Sequence, residues 1–190
     1  FPRMYAWYRL ARCWAAMRFD DHRGMVPRLM RVGARGLRAT LVRTKTTGAG
    51  KKKEQLELVV DKMAYIVAPG WLTTGWQLWL KHDYPRDYFL CITSAGLKGV
   101  RQLEARYADG VAMTRALMGS LVDKGGSSLM LSPRAGDFGT EHFDRAFVTS
   151  VGGAIAGINQ AWLNDVGRWA QDTSRSEERR VGKECRSRWS

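Results

Sequence analysis

Acidic residues are scarce in this chain: 18 aspartates and glutamates stand against 31 lysines and arginines in 190 residues. Cysteine is scarcer still. Cys13, Cys91 and Cys185 are far apart and form no CxxC or Cys/His spacing, so neither a disulfide framework nor a zinc knuckle is legible. A reducing compartment is the expectation. The histidines, His22, His82 and His142, are equally scattered, and no metal constellation can be read from them. Long apolar runs are also missing, because Arg9, Arg12 and Arg18 interrupt the most hydrophobic early stretch, and a bilayer-spanning helix needs about 20 apolar residues. The start, Phe1-Pro2-Arg3-Met4, has neither an initiator methionine nor a signal-peptide pattern, and reads as an internal piece of a longer chain.

What is present is positive charge. The formal net charge is +13 and the isoelectric point is near 10.2, a balance that attracts polyanions through long-range fields and counterion release. Nucleic acid is the first partner to consider; charge spread over the surface for solubility is the competing explanation. Residues 175–190 have no apolar period and resemble a translated sequencing adapter, so they are read as a disordered, non-native tail. That tail carries six arginines and lysines against three glutamates. Residues 1–174 therefore keep a net charge of +10, and one domain incomplete at both ends is expected over this range.

Met4, Trp7, Leu10, Ala11, Trp14 and Met17 recur at helical spacing with Arg9 and Arg12 between them, which predicts an amphipathic helix ending near Arg18. Leu29–Val32, Leu37–Arg43 and Gln55–Val60 read as short strands joined by turns at Gly33–Gly36 and Thr46–Lys53, forming a small antiparallel sheet. Residues 62–81 suggest two short helical pieces around Pro69-Gly70. Tyr84 to Leu90 reads as a loop entering an extended segment. Val111–Met118 is predicted helical, Lys124–Asp137 is a glycine- and serine-rich loop, and Thr140–Ala156 is a strong helix with Thr140 as N-cap. A last helix runs from Gln160 to Ala170. The fold class is α+β, mostly helical with a three-stranded antiparallel sheet.

Four separated segments offer groups suited to a phosphodiester. In Ala16-Met17-Arg18-Phe19-Asp20-Asp21, a guanidinium follows an apolar helix with a carboxylate, Asp21, three residues on. Arginine's planar fork gives phosphate two parallel charge-assisted hydrogen bonds, although Arg18 taken alone reads first as a surface arginine paired with Asp21. The hairpin from Arg43 and Thr44 through Lys45 to Lys51, Lys52 and Lys53 is basic and flexible at its tip. It is not a nucleotide-binding P-loop, because position 45 is lysine where glycine is required, Lys52 follows Gly50-Lys51, and a strand follows in place of a helix. A β-hairpin reaching along a DNA groove and a solvated charge run are both open readings. In Thr140-Glu141-His142-Phe143-Asp144-Arg145, an imidazole and a guanidinium lie three apart near a helix N-terminus, where the dipole favours an anion. Finally, Leu163-Asn164-Asp165-Val166-Gly167-Arg168-Trp169 presents a tryptophan at a helix end.

In this order and at these separations the four segments resemble the catalytic domain of the tyrosine recombinase (phage integrase) family across most of residues 5–174. The Arg-Thr-Lys-Thr hairpin and the tryptophan are similar to the eukaryotic mobile-element branch. The resemblance implies site-specific DNA breakage and rejoining through a 3′-phosphotyrosyl intermediate, with catalytic roles for Arg18, Lys45, His142, Arg145 and Trp169. Asp21 would support them, and Arg43, Thr44 and Lys51–Lys53 would contact DNA. Arg18 and Arg145 would stabilise the non-bridging oxygens. Lys45 would protonate the leaving 5′-oxygen, His142 would assist proton transfer, and Trp169 would buttress the tyrosine and donate its indole N–H to phosphate. No metal and no cofactor is implied. Double-stranded DNA is the implied partner, with assembly of the intact protein into a tetramer on DNA and an intracellular location, nuclear in a eukaryote.

No tyrosine follows Tyr107, whereas in this family the nucleophile comes within about three helical turns of the His/Trp position. The chain as it stands is therefore expected to be inactive, since covalent catalysis lacks its first step. A catalytically dead DNA-binding relic of a mobile element is the alternative. A type IB topoisomerase, and a basic helical protein without any phosphate site, are further alternatives.

Overall fold

The computed structural model describes residues 2–44, 55–64, 68–81, 87–90, 103–130, 143–155, 157–159, 161 and 163. The first helix, α1 (Pro2–Trp14), is followed by 3₁₀ turns at Phe19–Gly24 and Pro27–Leu29. Strands β1 (Arg31–Gly33), β2 (Gly36–Leu41) and β3 (Leu56–Asp61) come next, and then helices α2 (Trp71–Leu80), α3 (Tyr107–Gly119) and α4 (Phe143–Ala154). Helices with one three-stranded antiparallel sheet, in the order β1-β2-β3, are the α+β class expected. No helix among the described residues is long and apolar enough to cross a membrane.

Helix α1 stops at Trp14, earlier than the apolar period implied. The Ala16 N–H bonds to the Cys13 carbonyl and the Met17 N–H to the Arg12 carbonyl, with Ala16 at φ +48°. This is a Schellman termination with alanine in the left-handed position that glycine usually occupies. It turns the chain sharply, so Met17 enters the core and Arg18 starts the next segment.

The sheet follows the pleat. Leu37, Ala39 and Leu41 of β2 and Leu58 and Val60 of β3 are buried, while Arg38, Glu57 and Val59 are exposed, the period-2 alternation of a sheet with one solvated face. Gly36, at φ +125°, lies so close to the Val60 carbonyl that a Cβ would collide with it, which fixes glycine at that turn. Beyond β1, the Met25–Leu41 bridge and the Val26 N–H to Thr40 carbonyl bond of 3.1 Å extend the pairing along the same edge of β2.

The inner face of the sheet, α1 and α2 close on an aromatic core. Trp7 meets Trp76 and Phe89, Tyr8 meets Phe89, and Trp76 stacks on Trp79 at 5.0 Å. Two indoles that would otherwise bury a polar N–H donate it to backbone: Trp7 to the Leu72 carbonyl at 3.1 Å and Trp79 to the Phe89 carbonyl at 3.4 Å.

Three sequence expectations need correction. Of the two helical pieces expected around Pro69-Gly70, the second is α2, with Gly70 at its N-cap, whereas residues 62–64 form a turn and not a helix, residues 65–67 lying outside the described residues. Leu10 was placed on the apolar face of α1, yet it is an exposed hydrophobic residue, whereas Arg12 is 0 % exposed. The reason is that Tyr5, Tyr8 and Arg12 rotate the buried stripe of α1 toward α4, where Arg12 finds an ionic partner. The helix around residues 111–118 is longer than expected, running from Tyr107 to Gly119. The Thr140 N-cap, the hairpin tip and the helix expected over Gln160–Ala170 fall on positions that, apart from Ala161 and Leu163, lie outside the described residues.

Candidate functional site

The candidate residues that can be placed lie on three segments: Arg18 and Asp21 just after α1, Arg43 and Thr44 just after β2, and Arg145 on α4. Arg18 is half-buried at the entry to the Phe19–Gly24 turn. Its backbone N–H donates to Asp21 Oδ2 at 2.9 Å, and the Asp21 N–H returns to the Arg18 carbonyl at 3.1 Å. Asp21 is buried, so its carboxylate first satisfies an orphan donor at a helical start. The sequence expectation of an Arg18–Asp21 pair thus takes a local form: the contact runs through the arginine's backbone and fixes the direction in which its side chain leaves.

This turn is joined to the strand that leads to the basic hairpin. The Val42 N–H donates to the Gly24 carbonyl at 2.8 Å, and the two chains approach so closely that a Cβ on Gly24 would overlap the Arg43 carbonyl. Glycine is required there by backbone contact. Arg43 is exposed and Thr44 is buried, so the pair leaves β2 with its guanidinium in solvent and its hydroxyl packed inside.

Helix α4 is joined to the same place from the other side. Arg9 Nη2 lies 2.8 Å from Asp144 Oδ1, and Arg12 Nη1 lies 3.3 Å from Asp144 Oδ2. The Arg12 guanidinium sits 5.4 Å from the ring centroids of both Tyr8 and Phe19, an arrangement in which aromatic faces offset part of the cost of burying the charge. Arg145, next to Asp144, is 6 % exposed. Phe19 and Asp144 therefore share Arg12 as a neighbour. Their chain neighbours are Arg18, half-buried, and Arg145, buried.

Arg9 also donates from Nη1 to Thr114 Oγ1 at 3.0 Å, and the Tyr5 hydroxyl meets both Thr114 Oγ1 and the Gly110 carbonyl at 2.9 Å. These bonds bring α3 into the same polar seam. Beneath it, the Tyr8 hydroxyl is 3.2 Å from His22 Nδ1, and the His22 ring meets Phe19 edge-on at 4.4 Å. Burial, reinforced by the Arg12 charge, lowers the His22 pKa from 6.5 to about 3, which keeps the imidazole neutral. Burial, together with the Asp144 carboxylate, raises the Cys13 thiol to about 12, so it is an inert packing group. At the rim, Arg23 and Glu104 form a two-pronged pair at 2.8 and 2.7 Å, and this hydrogen bonding lowers the carboxyl pKa of Glu104.

Lys45, Lys51, Lys52, Lys53, His142 and Trp169 lie outside the described residues. Sequence reasoning missed Arg9, Arg12 and Asp144, the three groups that tie α1 to α4. Their signal was present as two arginines three apart on α1, which share a helix face. The matching carboxylate lies more than 130 positions away, and no local pattern links them. Compared with known protein families, curated proteins and solved structures, the chain matches none.

Proposed function

We propose that this chain is the greater part of a tyrosine-recombinase-like catalytic domain, a DNA strand-exchange fold in which Arg18, Lys45, His142, Arg145 and Trp169 would surround one scissile phosphate. The observation that carries this reading is the junction at the end of α1. Three segments remote in sequence, bearing Arg18, Arg43–Thr44 and Arg145, are tied there by Gly24, Arg12 and Asp144. A phosphate at Arg18, which is half-buried, would meet a donor whose reorganisation is restricted by packing, whereas Arg145, buried beside Asp144, would reach the same phosphate only after its side chain moves outward. The net charge of +10 on residues 1–174 would supply the non-specific attraction that holds DNA.

With no tyrosine after Tyr107, the chain is expected to bind duplex DNA without cleaving it. Neutralising about six phosphates predicts roughly a thousandfold loss of affinity between 50 and 200 mM salt. Fluorescence anisotropy with a labelled duplex measures this directly, and a flat salt profile would reject the reading. A longer transcript of the same gene separates the enzyme from the binding relic. A tyrosine shortly after Ser174 should give a covalent protein–DNA adduct on a nicked suicide duplex, whereas a stop codon or another residue there leaves only binding.

A further inference from the structure

Between Asp21 and Glu54 the sequence carries ten lysines and arginines and no acid. The sheet sorts part of that charge onto one surface. Arg31 of β1 and Arg38 of β2 are direct cross-strand partners, and Val59 of β3 is the next residue in the same row. All three are exposed, while their neighbours Leu37 and Val60 are in the core. Two arginines directly opposite on one face place like charges with Cβ atoms about 5 Å apart, which weakens a sheet in isolation. Arg35 is exposed in the β1–β2 turn, three residues before Arg38. Arg28 is exposed in the turn that precedes β1.

Cations on an edge strand also guard it against pairing with another chain. That accounts for Arg31 on β1. It does not account for Arg38, which is on the central strand. Among the described residues the counter-charge paired with Arg38 is Glu57 at 3.5 Å, with side chains 56 % and 62 % exposed, a pair largely screened by water.

We propose that the outer face of this sheet is a second DNA contact, separate from the catalytic set, in which Arg31 and Arg38, flanked by Arg35 and Arg28, hold phosphate oxygens of a duplex backbone. The inference rests on the DNA-binding reading above and extends it to four residues that reading does not use. Guanidinium forks suit phosphate bidentately, and a phosphate between Arg31 and Arg38 converts their mutual repulsion into a shared attraction. The contact carries no sequence information and sets the orientation of the protein on DNA.

The test is anisotropy of the full chain on a 30-base-pair duplex over a salt series, with Arg31→Gln/Arg38→Gln and Glu57→Gln beside the parent. Losing two phosphate contacts lowers the slope of log affinity against log salt by about 1.8 and weakens binding on the order of thirtyfold at 0.15 M salt. Because a repulsive pair has been removed, the double variant should melt at the same temperature as the parent or higher, which unfolding could not imitate. Glu57→Gln should tighten binding severalfold, and it decides the matter alone if the double variant melts lower. If the parent binds and neither variant changes affinity or slope, the sheet contact is wrong while the DNA-binding reading stands. If the parent binds no duplex at any salt, both fall. Binding of the parent, but not the double variant, to phosphatidylserine vesicles with duplex affinity unchanged assigns the face to a lipid surface and overturns the proposal.

Discussion

Helix α1 has two seams built on opposite physics. Toward α2 it packs by shape: the Trp7 ring lies against Gly75 so closely that a Cβ there would overlap it, and the indole N–H is capped by the Leu72 carbonyl. Toward α4 it packs by charge, through Arg9 and Arg12 on Asp144, with Thr149 and Gly152 among the buried residues of α4 while Phe143, Val151 and Ile155 are exposed. A shape seam depends on volume and is indifferent to salt and pH. A buried ionic seam is costly to assemble, fixes geometry, and fails badly when one partner is lost. Arg145 of the proposed phosphate site adjoins Asp144 on the ionic side, where orientation of guanidinium groups matters more than the last increment of stability.

Breaking the ionic seam should have the largest effect. Asp144→Ala leaves Arg9 and the fully buried Arg12 without their shared carboxylate, and the expected loss is about 3–5 kcal/mol in urea unfolding. A loss below about 1 kcal/mol would mean that the two seams do not differ as argued. The matching change on the other side, Gly75→Ala, forces a methyl group into the Trp7 ring and should cost about 1–3 kcal/mol. That penalty should be the same at 50 and 500 mM salt, which denaturation at the two salt concentrations checks.

An effect graded with pH, about 1.4 kcal/mol per unit, sharpens the comparison further. His22 touches α1 through Tyr8 and lies beneath Arg12, with a folded pKa near 3 against 6.5 for an ordinary histidine. Its neutral form is the one the fold accepts. The stability it contributes is complete above pH 6.5 and declines by about 1.4 kcal/mol for each pH unit below that, down to the folded pKa. Protonation would add a second cation beside Arg12. Stability curves from pH 7 to 4 should show this slope in the parent and lose it in His22→Phe; equal slopes in both would assign the acid sensitivity elsewhere.

The three strands were legible to within two residues at each end, because Leu37, Ala39 and Leu41 alternate with Arg38 and Thr40; Leu29, read as strand, lies in a 3₁₀ turn, and β2 ends at Leu41 rather than Arg43. The helices were legible as elements and less so as faces. For α1, the apolar period was read with Leu10 inward and Arg12 outward, and the structure reverses both. Of the candidate site, the individual groups could be nominated by chemical type. Asp21 was recognised beside Arg18, but its role as a backbone acceptor was not, since that depends on the chain turning after Ala16.

Charge excess, the α+β class and the order of elements follow from the sequence by itself, because they depend on composition and on periods of two and 3.6 residues. Which charges are buried was decided only by tertiary structure. Burying a guanidinium requires a carboxylate and flat aromatic faces to arrive together, and for Arg12 these come from Asp144, Tyr8 and Phe19, parts of the chain that no local period connects.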